Sequence, residues 1–312
     1  MKPETLDRYL GCLLGLAIGD ALGAAVEFEP PGTFEPVTGY RAGGPHRLAP
    51  GEWTDDTSMA LCLAQSLLDG NGFDPGGQMR LYLRWWWEGY LSVNGRFIDM
   101  GNTTRDALTR FSRTGEPFSG STDRNTAGNG SLMRLAPVPM AFAARPEEAI
   151  RLSGESSRTT HGAIEAVDAC RFFAGLLIGA LTGVDKDQIL APMYSPALGL
   201  WEREPLYPSI ASIAAGSYRS KEPPDIRGTG HVVKSLEAAL WAVHKGTGFE
   251  GSVLMAVNLG EDADTTGAIC GQLAGALYGA EAIPAALKSG LAQESTISGF
   301  AERLYHLSGA LY

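Results

Sequence analysis

The chain has 312 residues, 44% of them hydrophobic, with a formal net charge of −10. Length and apolar content suffice for a substantial core. The acidic balance argues against electrostatic nucleic-acid binding and admits an anionic ligand only where metals or local donors supply a positive field.

The N-terminal run LGCLLGLAIG is apolar, and the ALGAA after it looks cleavable. Glu4 and Asp7 spoil a basic leader, however, and Asp20 interrupts the run before it reaches bilayer length. The segment reads as a buried helix, and the protein is expected to be cytoplasmic, with no membrane attachment. Cys12, Cys62, Cys170 and Cys270 sit singly in apolar segments and read as core residues in a reducing compartment. The histidines are scattered, without the spacing of a zinc site.

The first helix carries Gly11, Gly15, Gly19 and Gly23 at four-residue spacing. Similar rows recur as Gly175, Gly179 and Gly183, and as Gly267, Gly271, Gly275 and Gly279. Each interior glycine costs about 0.5–1 kcal/mol relative to alanine, and close helix–helix approach is the natural compensation. These helices are expected to form the central bundle, with Asp20, Glu27 and a C-terminal aspartate cluster near their ends.

The Pro/Gly density from Glu27 to Arg47 predicts a long loop. Beyond it, Thr54, Asp55, Asp56 and Thr57 precede a helix with the stripe Met59, Cys62, Leu63, Ser66 and Leu67, read as its apolar face. Carboxylates just above a buried stripe are partly desolvated, which is costly unless a cation or a donor meets them. Helical patterns follow over Gln78 to Tyr90, Asn102 to Phe111, Pro146 to Ser156 and Ala163 to Leu181. They continue over Pro208 to Tyr218, Val232 to Lys245, Phe249 to Val257 and Ile283 to Gln293. Strand signals are scarce and no linker divides the chain, so the expectation is an all-α fold with residues 1–312 as a single compact multi-helix domain.

Two loops are too polar and glycine-rich for simple connectors. One ends in Gly128, Asn129, Gly130 and Ser131, where exposed backbone N–H groups can cradle phosphate oxygens; an ordinary turn reads the same way. The other, Ser217 to His231, carries Arg219, Lys221 and Arg227 and suits a cleft rim or a solvated connector. The last cluster, Glu261, Asp262, Asp264, Thr265 and Thr266, runs directly into a small-residue helix. Such hard oxygen donors suit Mg²⁺, Mn²⁺ or Ca²⁺, although Thr265 or Thr266 would serve equally as a helix cap. An EF-hand loop starting at Asp262 would need a glutamate at its twelfth position, where Leu273 stands, so that reading fails. Aspartates from the two clusters would neutralise a pair of divalent ions.

The motifs GDALGAAVEFE, GEWTDDTSMAL, DMGNTT, AGNGSLMRLAPV, THG and GEDADTTGAI occur together and in order. Together they resemble the ADP-ribosylglycohydrolase family, most of all its dinitrogenase reductase-activating glycohydrolase branch, and cover the chain from Gly11 to about Gly279. The resemblance implies an all-α hydrolase with a binuclear Mg²⁺ or Mn²⁺ centre. Its implied ligands are Thr54, Asp55, Asp56, Asp262, Asp264 and Thr265, with Glu27 beside the metals. It implies hydrolysis of the bond between the ribose anomeric carbon and a modified side chain, often an arginine guanidinium. An activated water is required, with Glu27 or Asp55 handling its proton. Asp99 and Asn102 would face the modified side chain, and the carboxylate at Asp99 favours arginine. Gly128, Asn129, Gly130 and Ser131 would meet the diphosphate, with His161 in the cleft. At His231 related enzymes more usually carry Tyr, and the imidazole offers less area for stacking on adenine.

The expected partners are an ADP-ribosylated protein as substrate and ADP-ribose as product, with no nucleic acid, and the chain is expected to act as a monomer. The rival enzymatic reading keeps the site but cleaves a serine-linked conjugate or O-acetyl-ADP-ribose. A non-catalytic ADP-ribose-binding or structural relative is the third, and such a protein would tolerate loss of the acidic residues that this sequence retains.

Overall fold

The computed structural model describes residues 3–310; the expected domain span of 1–312 reaches past these into terminal residues that lie outside the described ones. Helix α1 (Pro3–Gly23) leads through a long loop to α2 (Asp55–Asp69), α3 (Pro75–Glu88) and α4 (Asn102–Thr114). A second loop precedes α5 (Pro137–Phe142), α6 (Pro146–Arg158) and α7 (Ile164–Leu181). Short helices follow as α8 (Lys186–Ile189), α9 (Leu200–Arg203) and α10 (Pro208–Ala214). The chain closes with α11 (Val232–Lys245), α12 (Gly248–Val257), α13 (Ala263–Tyr278), α14 (Ala285–Gly290) and α15 (Glu294–Ala310). Among the described residues there are no β-strands, only isolated bridges, so the all-α expectation holds. No helix among them is long and apolar enough to cross a membrane.

The centre of the fold is the antiparallel pair α1 and α13, held together by backbone rather than by large side chains. A Cβ built on Gly271 would overlap the carbonyl oxygen of Gly15, and one on Gly275 would overlap that of Gly11. Gly19 and Gly267 stand in the same relation. Two helices that approach to backbone contact recover, in dispersion and excluded water, what each glycine costs in helix propensity. The third row behaves differently. Gly175 and Gly179 face Pro196 and Tyr194 in the loop after α8, and Gly183, at φ +91°, ends the helix in a left-handed turn. That row leaves room for a loop, and the expectation that it joins the interlocked bundle is corrected.

Glycine interlock fixes the register, and register fixes chemistry. At the end of α1, Gly23 meets the backbone of Ala263 and Asp264 at the start of α13. Buried Gln272 ties α13 to the glycine turn: its Oε1 accepts from Ala136 N at 2.8 Å, and its Nε2 donates to Met133 O at 2.7 Å. Asn258, after α12, anchors the long loop through Val37, accepting from its N–H at 2.7 Å and donating to its carbonyl at 3.0 Å.

Several boundaries differ from expectation. The helix expected from Pro208 to Tyr218 breaks at Gly216, whose φ of +98° suits a residue without a side chain, and continues as a 3₁₀ turn over Ser217–Ser220. The helix expected over Ile283 to Gln293 shortens to α14, started by Pro284. Beyond it lies α15, absent from the sequence reading although Ile297, Phe300, Ala301 and Leu304 bury a stripe at helical spacing.

Candidate active site

Three helix ends meet at one place. The C-terminal turn of α1 supplies Asp20, the N-terminus of α2 supplies Thr54 to Thr57, and the N-terminus of α13 supplies Asp262 to Thr266. Thr54 makes no capping bond of its own to α2. Asp20 does that work from the neighbouring helix, with Oδ1 accepting from Thr54 N at 2.8 Å and Oδ2 accepting from Thr57 N at 3.0 Å. It also takes the hydroxyls of Thr54 at 2.9 Å and Thr57 at 2.6 Å. A capping carboxylate at a helix N-terminus is favourable, and here it sets the angle at which α2 presents Asp55 and Asp56.

The two acidic clusters, far apart in sequence, come into contact. Asp20, Asp56 and Asp264 each bring a carboxylate oxygen within 4.8 Å of the others, and so do Glu27, Asp262 and Asp264. Asp264 belongs to both groups. Thr54 Oγ1 lies 2.9 Å from Asp20, 3.1 Å from Asp56 and 3.3 Å from Asp264. A hydroxyl has one proton to donate, so most of these oxygen pairs lack a hydrogen between them. Asp56 Oδ1 and Asp264 Oδ1 are buried with no hydrogen-bond partner. Burial, and then the surrounding carboxylates, push Asp55, Asp56 and Asp264 well above the usual carboxylate range. Asp20 and Asp262 rise to about 6, again through burial, with the threonine and Asn129 hydrogen bonds holding them down. Asp55 and Asp262 keep an edge open to the cavity, where water relieves part of that penalty. Orphaned, close-set carboxylate oxygens of this kind fit hard divalent cations. The residues present pass that test.

Above the clusters opens a cavity of about 270 Å³, lined among others by Glu27, Asp55, Asp99, Asn102, Gly128, Asn129, Gly130, His161, Asp262, Asp264 and Thr265. Thr54 and Asp56 lie beneath its floor, in contact with Asp264 through the Thr54 hydroxyl. The glycine turn forms part of the wall, drawn toward the floor by Asn129 Nδ2 donating to Asp262 Oδ2 at 2.6 Å. A bridge between Gly128 and His231 joins that turn to the later loop, and Asn129 N donates to Gly230 O at 3.1 Å.

Two residues depart from their expected placement. The Ser131 hydroxyl turns away from the cavity and accepts from Ser157 Oγ at 2.8 Å, because the backbone has already begun to coil toward α5. The His231 ring is engaged in capping α11, its Nδ1 accepting from Val233 N at 3.3 Å, and Nε2 lies 3.8 Å from Glu165. Its neighbour Gly230, rather than His231, lines the cavity.

Sequence reasoning did not assign His46 to the site, and it placed Asp20 near the aspartate cluster without giving it a role. His46 reaches in from the long loop, with Nε2 2.9 Å from Glu27 Oε2 and 4.0 Å from Asp99 Oδ2. The hydrogen bond to Glu27 raises its pKa above the usual imidazole value. A lone histidine in a Pro/Gly-rich loop carries no periodic signal, so nothing local marked it. Asp20 carries a signal, a charge inside an apolar run near the expected end of the bundle, but nothing local says that it caps the next helix.

A sequence profile described as ADP-ribosylglycohydrolase matches residues 1–311. A protein of Pseudomonas putida (strain GB-1) named ADP-ribosylarginine hydrolase Tri1 is 44% identical, over 98% of this chain and 80% of its own length. The ADP-ribosyl-dinitrogen-reductase glycohydrolase of Rhodospirillum rubrum is 31% identical, over 90% of this chain and 89% of its own. A solved structure titled ADP-ribosylglycohydrolase-related protein complex superposes with a TM-score of 0.86 at 46% identity, covering 98% of this chain and all of that one.

Proposed function

Because the chain belongs to the ADP-ribosylglycohydrolase family, we propose that it removes ADP-ribose from modified arginine side chains of proteins. The observation that carries this reading is the meeting of the two acidic clusters at the floor of a cavity. The arginine linkage is supported by Asp99 at the cavity wall and by the name of the 44% identical relative. Residues 1–312 are read as a single catalytic domain, supported by one continuous hydrophobic core among the described residues.

Thr54, Asp55, Asp56, Asp262, Asp264 and Thr265 are the residues assigned to hold two divalent cations, Mg²⁺ or Mn²⁺. When bound, such ions supply Lewis acidity that orients ribose hydroxyls and makes a water more acidic. The chain's own groups do the rest. Asp99 pairs with the guanidinium and holds the scissile bond over the floor, with Asn102 beside it. Glu27 or Asp55, both at the cavity surface, accepts the proton of the water that attacks the anomeric carbon. The carbon–nitrogen bond breaks through an oxocarbenium-like state, and the departing guanidine keeps the electron pair and takes up a proton. His46 restrains Glu27 through Oε2, and Glu27 has a carboxylate oxygen within 4.8 Å of those of Asp262 and Asp264. Gly128, Asn129, Gly130 and His161 form the side toward the diphosphate.

The test is release of ADP-ribose from an arginine-modified protein, with and without divalent ion. Turnover that needs the ion and is lost in Asp264→Asn is the expected result. Turnover confined to a serine-linked conjugate or O-acetyl-ADP-ribose would overturn the arginine assignment.

A further inference from the structure

Arg134 is fully buried, and among the described residues no carboxylate pairs with it. A guanidinium without a counter-ion in the interior is costly unless its charge is used nearby. Its bonds run toward the cavity side. Nη1 donates to the Gly130 carbonyl at 2.6 Å and Nη2 to Thr160 Oγ1 at 2.7 Å, while the guanidinium carbon stands 4.8 Å from the Tyr82 ring centroid. Arg134 Nε has no partner.

Thr160 is buried as well, and its hydroxyl oxygen lies 2.8 Å from His161 Nδ1. Arginine can only donate, so Thr160 Oγ1 accepts from it. The threonine proton then has one acceptor within reach, the Nδ1 of His161, and any other arrangement strands that proton in the interior. Nδ1 is therefore unprotonated and Nε2 carries the hydrogen. Burial, and secondarily Arg134, hold the His161 pKa down at about 3, so the ring is neutral near pH 7.

The Nε2 edge faces the glycine turn. A Cβ on Gly130 would come within 2.9 Å of His161 Cε1 and 3.2 Å of Nε2, and both residues line the cavity. The Gly130 carbonyl that takes Arg134 Nη1 shares a peptide group with Ser131 N–H, which is polarised by that bond. Neither Gly130 N–H nor Ser131 N–H has an acceptor among the described residues.

We propose that Arg134 and Thr160 are positioning residues: they lock His161 as the Nε2–H tautomer and turn the ring and the Gly130–Ser131 turn into a donor set for a diphosphate. The identity of the anion rests on the function proposed above; the tautomer does not. The buried cation thus acts on the ligand without touching it, through a hydroxyl on one side and a peptide on the other.

Two-bond ¹H–¹⁵N correlation spectra of histidine-labelled protein read the tautomer directly, with His161 assigned by its loss in His161→Gln. The wild type is expected to show Nε2–H. Thr160→Ser should keep that tautomer and the affinity for ADP-ribose measured by titration calorimetry. Thr160→Val, which removes the relayed proton at nearly constant shape, should mix the tautomers and weaken ADP-ribose binding about ten-fold. An Nδ1–H wild type, or Thr160→Val binding as tightly as Thr160→Ser, overturns the inference while leaving the hydrolase reading intact. A wild type that does not bind ADP-ribose overturns both. Should Thr160→Val fail to fold, the wild-type tautomer still decides.

Discussion

At the scale of single residues the site is defined by a shortage of protons. Thr54 can satisfy one of the carboxylate oxygens around it, and Asp56 Oδ1 and Asp264 Oδ1 are left with none. Without cations these acids oppose folding, because burial and mutual repulsion both disfavour the charged form. Asp264→Asn should therefore raise the melting temperature of the metal-free protein while abolishing turnover, a stability–function trade-off of the usual sign. A lowered melting temperature measured by calorimetry in chelator would show that Asp264 is a structural acid instead. His46 belongs to the same scale. His46→Ala frees Glu27 and, if Glu27 rather than Asp55 is the proposed proton acceptor, should lower kcat about ten-fold or more with a folded protein, since a loosened acceptor spends less time in line. Unchanged kcat in that variant would remove His46 from the mechanism.

At the scale of elements, the α1–α13 contact decides where the acids can be. Gly271→Ala adds one methyl group against the Gly15 carbonyl and should cost about 3 kcal/mol or more, although alanine is the better helix former. Gly175→Ala is the control, for its nearest neighbour would be Pro196 Cδ at 3.4 Å, and propensity alone should then stabilise by about 0.5–1 kcal/mol. Denaturant melts of the pair separate packing from propensity; equal shifts would refute the interlock. Gln272 makes the parallel case for a loop. Gln272→Leu strands the Met133 carbonyl and the Ala136 N–H, each at about 1–3 kcal/mol. It should also raise KM more than it lowers kcat, because the turn it tethers is the one proposed to meet the diphosphate and not the scissile bond.

At the scale of the whole molecule, the cluster makes stability depend on pH and on divalent ions together. The ordinary aspartate value is 3.8, and in the folded chain Asp20 and Asp262 stand at about 6, with Asp55, Asp56 and Asp264 well raised. Below the unfolded value both states hold these protons and no penalty exists. As pH rises from there through the folded values, the native state binds more protons than the unfolded one, and stability falls. The melting temperature of chelated protein should accordingly drop between about pH 5 and pH 8 on account of these groups. If Mg²⁺ or Mn²⁺ is held as proposed, it binds the ionised native cluster, so the rise it produces should be larger at pH 8 than at pH 5, about 2.7 kcal/mol at a hundred times Kd. Scanning calorimetry across that range, with and without the ion, checks both signs.

The sequence alone determined what is written in local pattern. Helical spacing and the scarcity of strand signals gave the fold class, glycine rows gave close helix–helix approach without saying which helices pair, and two unusual acidic stretches gave most of the cavity floor. The tertiary structure decided what depends on partners distant in the chain. The row from Gly175 to Gly183 has the same spacing as the others, yet it faces a loop because nothing in a row of glycines names its neighbour. Asp20 caps a helix that begins beyond the next loop, His46 enters from that loop to hold Glu27, and the Ser131 hydroxyl turns inward with the backbone. Spacing constrains which side chains share a face, whereas a hydrogen bond or an ion pair across the core exists only once the chain has closed around it.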